Sequence, residues 1–142
     1  MKIVLCGDSL FSSRNLVNRV DARVVKILKE ADAVFTNAEF STPKRTTPPG
    51  LCMYLTSVHQ ETLDEFTDLN MRLVSFANNH TTDYGWQGAL ETIEAAEVRG
   101  ILPCGVGRNL EDARKPRMLD TNHGRVAVVA ASSTWADRAV AS

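Results

Sequence analysis

The chain has 142 residues with 16 Lys or Arg against 17 Asp or Glu, a net charge of −1 that points to no polyanionic partner such as nucleic acid. Its hydrophobic fraction of 44% and charged fraction of 23% are those of a soluble globular protein with one ordinary core, and its longest apolar run, residues 126–131, is far too short to span a bilayer. Cys6, Cys52 and Cys104 are an odd number without Cys-x-x-Cys spacing, which argues against a disulfide framework and a thiolate zinc site and leaves three small, mostly buried thiols.

Residues 2–6 form a β-branched, apolar run stopped by Gly7-Asp8, the pattern of a buried strand followed at once by a turn. No apolar segment of signal-peptide length and no small-residue cleavage site opens the chain, so the expected location is the cytoplasm. Asp21 is placed to cap a helix whose stripe is Val24, Ile27, Leu28 and Ala31, and residues 33–36 give a second strand ending at the polar Asn37 and Glu39. Residues 41–56, with Pro43, Pro48, Pro49, Gly50 and four threonines, suit only a surface loop. Ser57 and Gln60 have capping-box spacing ahead of a helix carrying Val58, Thr62, Phe66 and Leu69. Residues 72–76 read as a third strand closed by Ala77-Asn78-Asn79-His80. A helix over residues 84–99 follows, with Trp86, Leu90, Ile93 and Ala96 at helical spacing, and Gly100 stops it. The remainder reads as a strand over 101–104, a short helix over 110–114, an edge strand over 117–119, a turn at Gly124-Arg125 and a last strand over 126–131.

Strands that alternate with helices and are apolar throughout predict an α/β fold with a mostly parallel sheet covered on both faces. Ligands of such sheets bind beyond the carboxyl ends of the strands, where the loops diverge. The first strand ends in Asp8, the second in Asn37 and Glu39, the third in Asn78, Asn79 and His80. A core selects none of these side chains, so their recurrence one strand-helix unit apart points to a shared site. Carboxylate and amide oxygens suit hard divalent cations and imidazole adds affinity for manganese, iron or zinc, so Asp8, Glu39, Asn79 and His80 form a partial metal shell.

The sequence Gly7-Asp8 after a strand, then Asn37-Ala38-Glu39, then Phe76-Ala77-Asn78-Asn79-His80 with Asp83-Tyr84-Gly85 and Gly88 behind it, resembles the bacterial capsule-synthesis CapA/PgsA family of the metallophosphatase-like superfamily. Gly100-Ile101, Gly105-Val106-Gly107 and Gly124-Arg125-Val126-Ala127 fit that family's order, and Asn-Asn-His followed by Asp-Tyr-Gly is the specific part of the match. The resemblance implies a layered αββα sandwich and a centre of two divalent ions, manganese, iron or zinc, acting on a small-molecule or polymer substrate. In it Asp8 and Glu39 bind metal, Asn79 is a ligand, and His80 is a ligand or general acid. Asn37, Asn78 and Asp83 support them. Asp8 and His80 divide the catalytic work of a metal-activated water that attacks a phosphoester or amide. Members are linked to poly-γ-glutamate capsule production. The match runs over nearly the whole chain but covers the front of the family's domain, since no later histidine-bearing segment follows Ser132-Ser133. The expectation is therefore a single domain over residues 1–142 with an incomplete metal shell, either a fragment of a longer protein or a shortened member of the family.

Two rival functions come from other classes. Gly7-Asp8-Ser9-Leu10 is similar to the first block of the GDSL, or SGNH, esterases, with Ser9 as nucleophile and Asp120-x-x-His123 as orienting acid and base. Against it, residues 120–123 read as a turn between strands, and Asn-Asn-His is not that family's Gly-x-Asn-Asp block. A non-catalytic α/β binding module is the third reading. Bland roles stand beside each residue: Asp8 as a turn cap, Glu39 as a solvated charge, Asn78 and Asn79 as turn residues, Asp83 as the N-cap of the next helix, His59 as an exposed helical residue, His123 as an exposed turn residue, and Tyr84 and Trp86 as core. Cys104-Gly105-Val106-Gly107 lacks the third glycine of a dinucleotide fingerprint, so no nucleotide cofactor is expected.

Overall fold

A computed structural model describes residues 1–11, 14–51 and 54–133. Cys52 and the segment 137–142 lie outside the described residues. The elements run in chain order as β1 (Ile3–Ser9), α1 (Ala22–Lys29), β2 (Ala33–Ala38), α2 (Thr62–Asp68), β3 (Met71–Ser75), α3 (Gly85–Glu97), β4 (Leu102–Cys104), α4 (Leu110–Arg114), β5 (Arg117–Thr121) and β6 (Gly124–Val128). β1 to β4 form a parallel sheet in sequential order, and β5 and β6 form an antiparallel pair.

A sequential parallel order steps the same way at each crossover, and crossovers are right-handed, so α1, α2 and α3 fall on one face of the sheet. The core follows: Val34 and Val74 of the sheet join Val25 and Leu28 of α1, Leu63 and Phe66 of α2, and Ile93 and Ala96 of α3 in one cluster. Phe66 sits edge-on to both Phe11 and Phe40, with ring centres 5.2 and 5.7 Å apart, which ties the loops after β1 and β2 to α2.

Apolar strands predict cover on the other face as well, and the described residues cover only part of it. Leu5, Phe35, Leu73 and Leu102 are register partners across β1 to β4 and share that face. β5 packs against β3 and β4, so Leu73 is fully buried, whereas Leu5 on the edge strand β1 is 76% exposed.

Three local expectations shift for physical reasons. Asp21 caps α1 by accepting from the Arg23 N–H, but the buried stripe is Val25, Leu28 and Ala31, and Val24 and Ile27 face solvent. Both stripes share Leu28 and Ala31, so periodicity cannot choose between them. Ser57 and Gln60 form no capping box. Ser57 bridges to Ser41, Gln60 donates to the Thr42 carbonyl, and α2 begins only at Thr62, which leaves His59 exposed in the turn before it. Trp86 is 38% exposed and Tyr84 half-buried, so neither is a core residue. Gly100, at φ 68°, terminates α3 as its sequence position predicts.

Candidate functional site

The carboxyl ends of β1, β2 and β3 lie at one edge of the sheet, and a bulge brings their polar residues into line. Between Leu5 and Asp8 the register of β1 against β2 slips by one: Leu5 opposes Phe35, yet Asp8 opposes Asn37. Without the extra residue in β1, strict alternation would turn Asp8 to the helix-covered face. With it, Asp8 shares the helix-free face with Asn37.

A directional chain of hydrogen bonds then joins the three strand ends. Asn37 Nδ2 donates to Asp8 Oδ1 at 2.8 Å. Asn78 Nδ2 donates to Asn37 Oδ1 at 3.1 Å and to the Ala38 carbonyl at 2.8 Å. Asn78 Oδ1 accepts from the His80 N–H at 2.9 Å and from Thr81 Oγ1 at 3.2 Å, while Thr81 Oγ1 also donates to the Phe76 carbonyl. Asn78 thus spends both its donors and its acceptor, which excludes the bland reading of a turn residue chosen only for its backbone. His80 Nδ1 lies 2.9 Å from Asp83 Oδ2; its side chain is 20% exposed and that of Asp83 only 2%. A carboxylate oxygen accepts, so the ring donates from Nδ1 and Nε2 is left without a partner among the described residues.

Asp83 is not the N-cap of α3. Tyr84 occupies that position without a side-chain cap, and Asp83 Oδ2 accepts from the Thr56 N–H as well as from His80. A buried carboxylate needs partners, and the distant Thr56 N–H together with the His80 ring three residues away supplies them in place of the helix terminus.

Glu39 is half-buried and Asn79 exposed, and neither side chain has a hydrogen-bond partner among the described residues. Asp8, exposed, spends one oxygen on Asn37. The donors left free are hard oxygen ligands, so they fit a divalent cation in kind. They do not fit in number, because among the described residues no three His, Cys, Asp or Glu side chains gather closely enough to hold an ion.

The loop that leaves Asp8 and Ser9 is pinned by Glu65 of α2, which accepts from the Asn15 N–H at 2.6 Å, the Leu16 N–H at 2.7 Å and Arg14 Nε at 3.4 Å. Burial pushes the Glu65 carboxyl up, but these donors pull it down by more, so it titrates below its ordinary range. Nothing in the sequence marked Glu65, Thr81 or the Thr56 N–H as supports of the site. Glu65 and Thr56 act through long-range contacts, the second by a backbone group, whereas Thr81 bonds locally to Phe76 and Asn78.

The serine-esterase constellation does not assemble. Ser9 is 4% exposed and shares a 2.6 Å hydrogen bond with Thr36 Oγ1 on the helix-covered side of the sheet. His123 pairs with Asp32 at 2.6 Å, and Asp120 pairs with Arg125 across the β5–β6 turn. A nucleophile needs a base within hydrogen-bond reach, and Ser9 has none among the described residues.

The sequence pattern of the family described as bacterial capsule synthesis protein PGA_cap matches residues 2–141. The protein y4sH of Sinorhizobium fredii is 30% identical over 142 residues, covering 94% of this chain and 30% of the relative. A probable polyglutamine synthesis accessory protein of Mycobacterium tuberculosis is 34% identical over 89 residues, 57% of this chain and 23% of the relative. The capsule biosynthesis protein CapA of Bacillus anthracis is 29% identical over 85 residues, 60% of this chain and 21% of the relative. The chain therefore spans less than a third of the length of the curated relatives it matches. Among the described residues no helix is long and apolar enough to cross a membrane.

Proposed function

The chain belongs to the PGA_cap family, the CapA family of capsule and poly-γ-glutamate synthesis, and we propose that its strand ends are one wall of a metal-dependent hydrolytic centre acting on a phosphoester or amide. The observation that carries this reading is the hydrogen-bond chain Asp8–Asn37–Asn78, which fixes three strand ends and seats His80 against the buried Asp83.

In this reading Asp8, Glu39 and Asn79 would be three of the oxygen donors to a manganese, iron or zinc ion, and the further donors it needs would come from outside the described residues. Such an ion would supply the lowered water pKa that makes a nucleophile available near neutral pH. His80 holds a proton at the ring and delivers it to the leaving group, and Asp83 fixes the ring orientation and stabilises the imidazolium that carries the proton. Asn37 and Asn78 keep Asp8 and His80 at a set separation, which favours reaction by positioning. A second reading, a binding module without catalysis, draws on the shortage of donors among the described residues.

The test is metal content by mass spectrometry, melting temperature with and without EDTA, and hydrolysis of p-nitrophenyl phosphate and a γ-glutamyl anilide. A ligand that binds only the folded state must raise the melting point. Asp8→Asn is expected to reduce metal occupancy, and His80→Gln to reduce turnover more than occupancy. Equal loss of both in His80→Gln would make it a ligand. A wild-type chain that binds none of the three metals and shows no EDTA-sensitive stability would favour the binding module.

A further inference from the structure

A cleft of about 230 Å³ has a wall that includes Lys44, Arg45, Thr47, Ser57, His59 and Tyr84, the residue after Asp83. It is joined to the strand ends through two chain segments. Thr56 donates its N–H to Asp83, and the next residue, Ser57, meets the Tyr84 hydroxyl at 3.1 Å. The segments that hold the carboxylate behind His80 therefore also wall the cleft.

Every polar side chain in this wall can donate a hydrogen bond, and no Asp or Glu lines it. The side chains of Arg45 and His59 have no hydrogen-bond or ion-pair partner among the described residues. Lys44 Nζ reaches Glu94 at 3.8 Å, but both side chains are more than half exposed, and such a pair is worth little. The basic turn is held from below. The buried Glu91 accepts from the Lys44 N–H at 2.8 Å, from Thr47 Oγ1 at 2.7 Å and from Gln87 Nε2 at 2.9 Å. A carboxylate is costly to bury, and this one is spent on fixing the backbone from which Lys44 and Arg45 project. A solvated loop of charges has no need of that anchor.

We propose that the cleft is an oxyanion subsite that receives a carboxylate or phosphate group of the molecule handled at the strand ends. Arg45 supplies a planar fork for two oxygens, and Lys44, His59 and the Tyr84 hydroxyl, which accepts from Ser57, supply single bonds. The volume falls below the 300–1,000 Å³ usual for a whole small-molecule ligand, so one anionic group enters while the rest of the molecule extends along the surface. The link to a substrate rests on the hydrolase reading; the anion site stands on the cleft.

The test titrates the wild-type chain with inorganic phosphate and separately with glutarate, at fixed pH and ionic strength, and follows the imidazole resonances of His59 by NMR. Saturable shifts are expected. Saturation by phosphate alone assigns a phosphoester source, and saturation by glutarate alone a carboxylate source. Arg45→Ala is expected to weaken binding at least about ten-fold, equivalent to about 1.4 kcal/mol, without moving the melting temperature, and Arg45→Lys to recover part of the loss. His80→Gln should bind the probe as tightly as wild type. Absence of saturation with both probes, or unchanged affinity in Arg45→Ala, overturns the subsite. If the probes bind but wild type neither holds metal nor hydrolyses, the hydrolase reading fails and the subsite stands.

Discussion

Asn78→Asp is nearly isosteric, yet it should break the link between the strand ends, and the direction of the hydrogen bonds sets how severe the break is. An aspartate keeps the acceptors that serve the His80 N–H and Thr81 Oγ1. It loses the two donors that serve the Ala38 carbonyl at 2.8 Å and Asn37 Oδ1 at 3.1 Å, and sets oxygen against oxygen in both places. Asn37 cannot relieve the clash by flipping its amide, because its Nδ2 is held by Asp8 Oδ1 at 2.8 Å and a flip would put an oxygen against that carboxylate. Two hydrogen bonds at ~1 kcal/mol each, with added repulsion in a half-buried site, give a loss of about 2–3 kcal/mol at pH 7. Once protonated, the introduced carboxyl can donate again, so its folded pKa lies above the unfolded value of about 3.9. The deficit relative to wild type is therefore full above the folded pKa and fades as pH falls toward about 3.9. Urea unfolding followed by circular dichroism at pH 7 and near pH 4, in metal-free buffer, measures it. A loss smaller than about 0.5 kcal/mol, or one equal at both pH values, would refute the directional chain.

Glu65→Ala strands the buried N–H of Leu16 and that of Asn15, so we expect a loss of about 2–4 kcal/mol in urea unfolding. Because the Glu65 carboxyl is held below its ordinary value of 4.5, its contribution is present above that pH and disappears as pH falls through the lower folded value. The gap between wild type and Glu65→Gln should therefore close below pH 4.5, and a gap that stays constant to lower pH would contradict the anchor. Burial pushes the Cys104 thiol up to about 11, against a partial counter-effect from Arg117. At pH 8 iodoacetamide should label it roughly a hundred-fold more slowly in the native chain than in urea, as read by peptide mass spectrometry. Equal rates would mean that the thiol is accessible.

Much of this architecture was legible from one-dimensional pattern. β-branched runs followed by polar residues predict parallel strands with polar ends, because side-chain periodicity is a local property, although β1 runs through the expected Gly7-Asp8 turn to Ser9. The motif around Asn79 and His80 likewise carried the family. What remained hidden depended on contacts between distant segments. The bulge that turns Asp8 toward Asn37, the assignment of Asp83 to the Thr56 N–H instead of to a helix cap, and the choice of Val25 over Val24 each pit two locally equivalent options against each other. A single strand cannot reveal which face its neighbour covers, and a carboxylate cannot reveal which buried donor will reach it. Those choices are made by the free energy of burial and hydrogen-bond satisfaction, which exists only after the chain has folded back on itself.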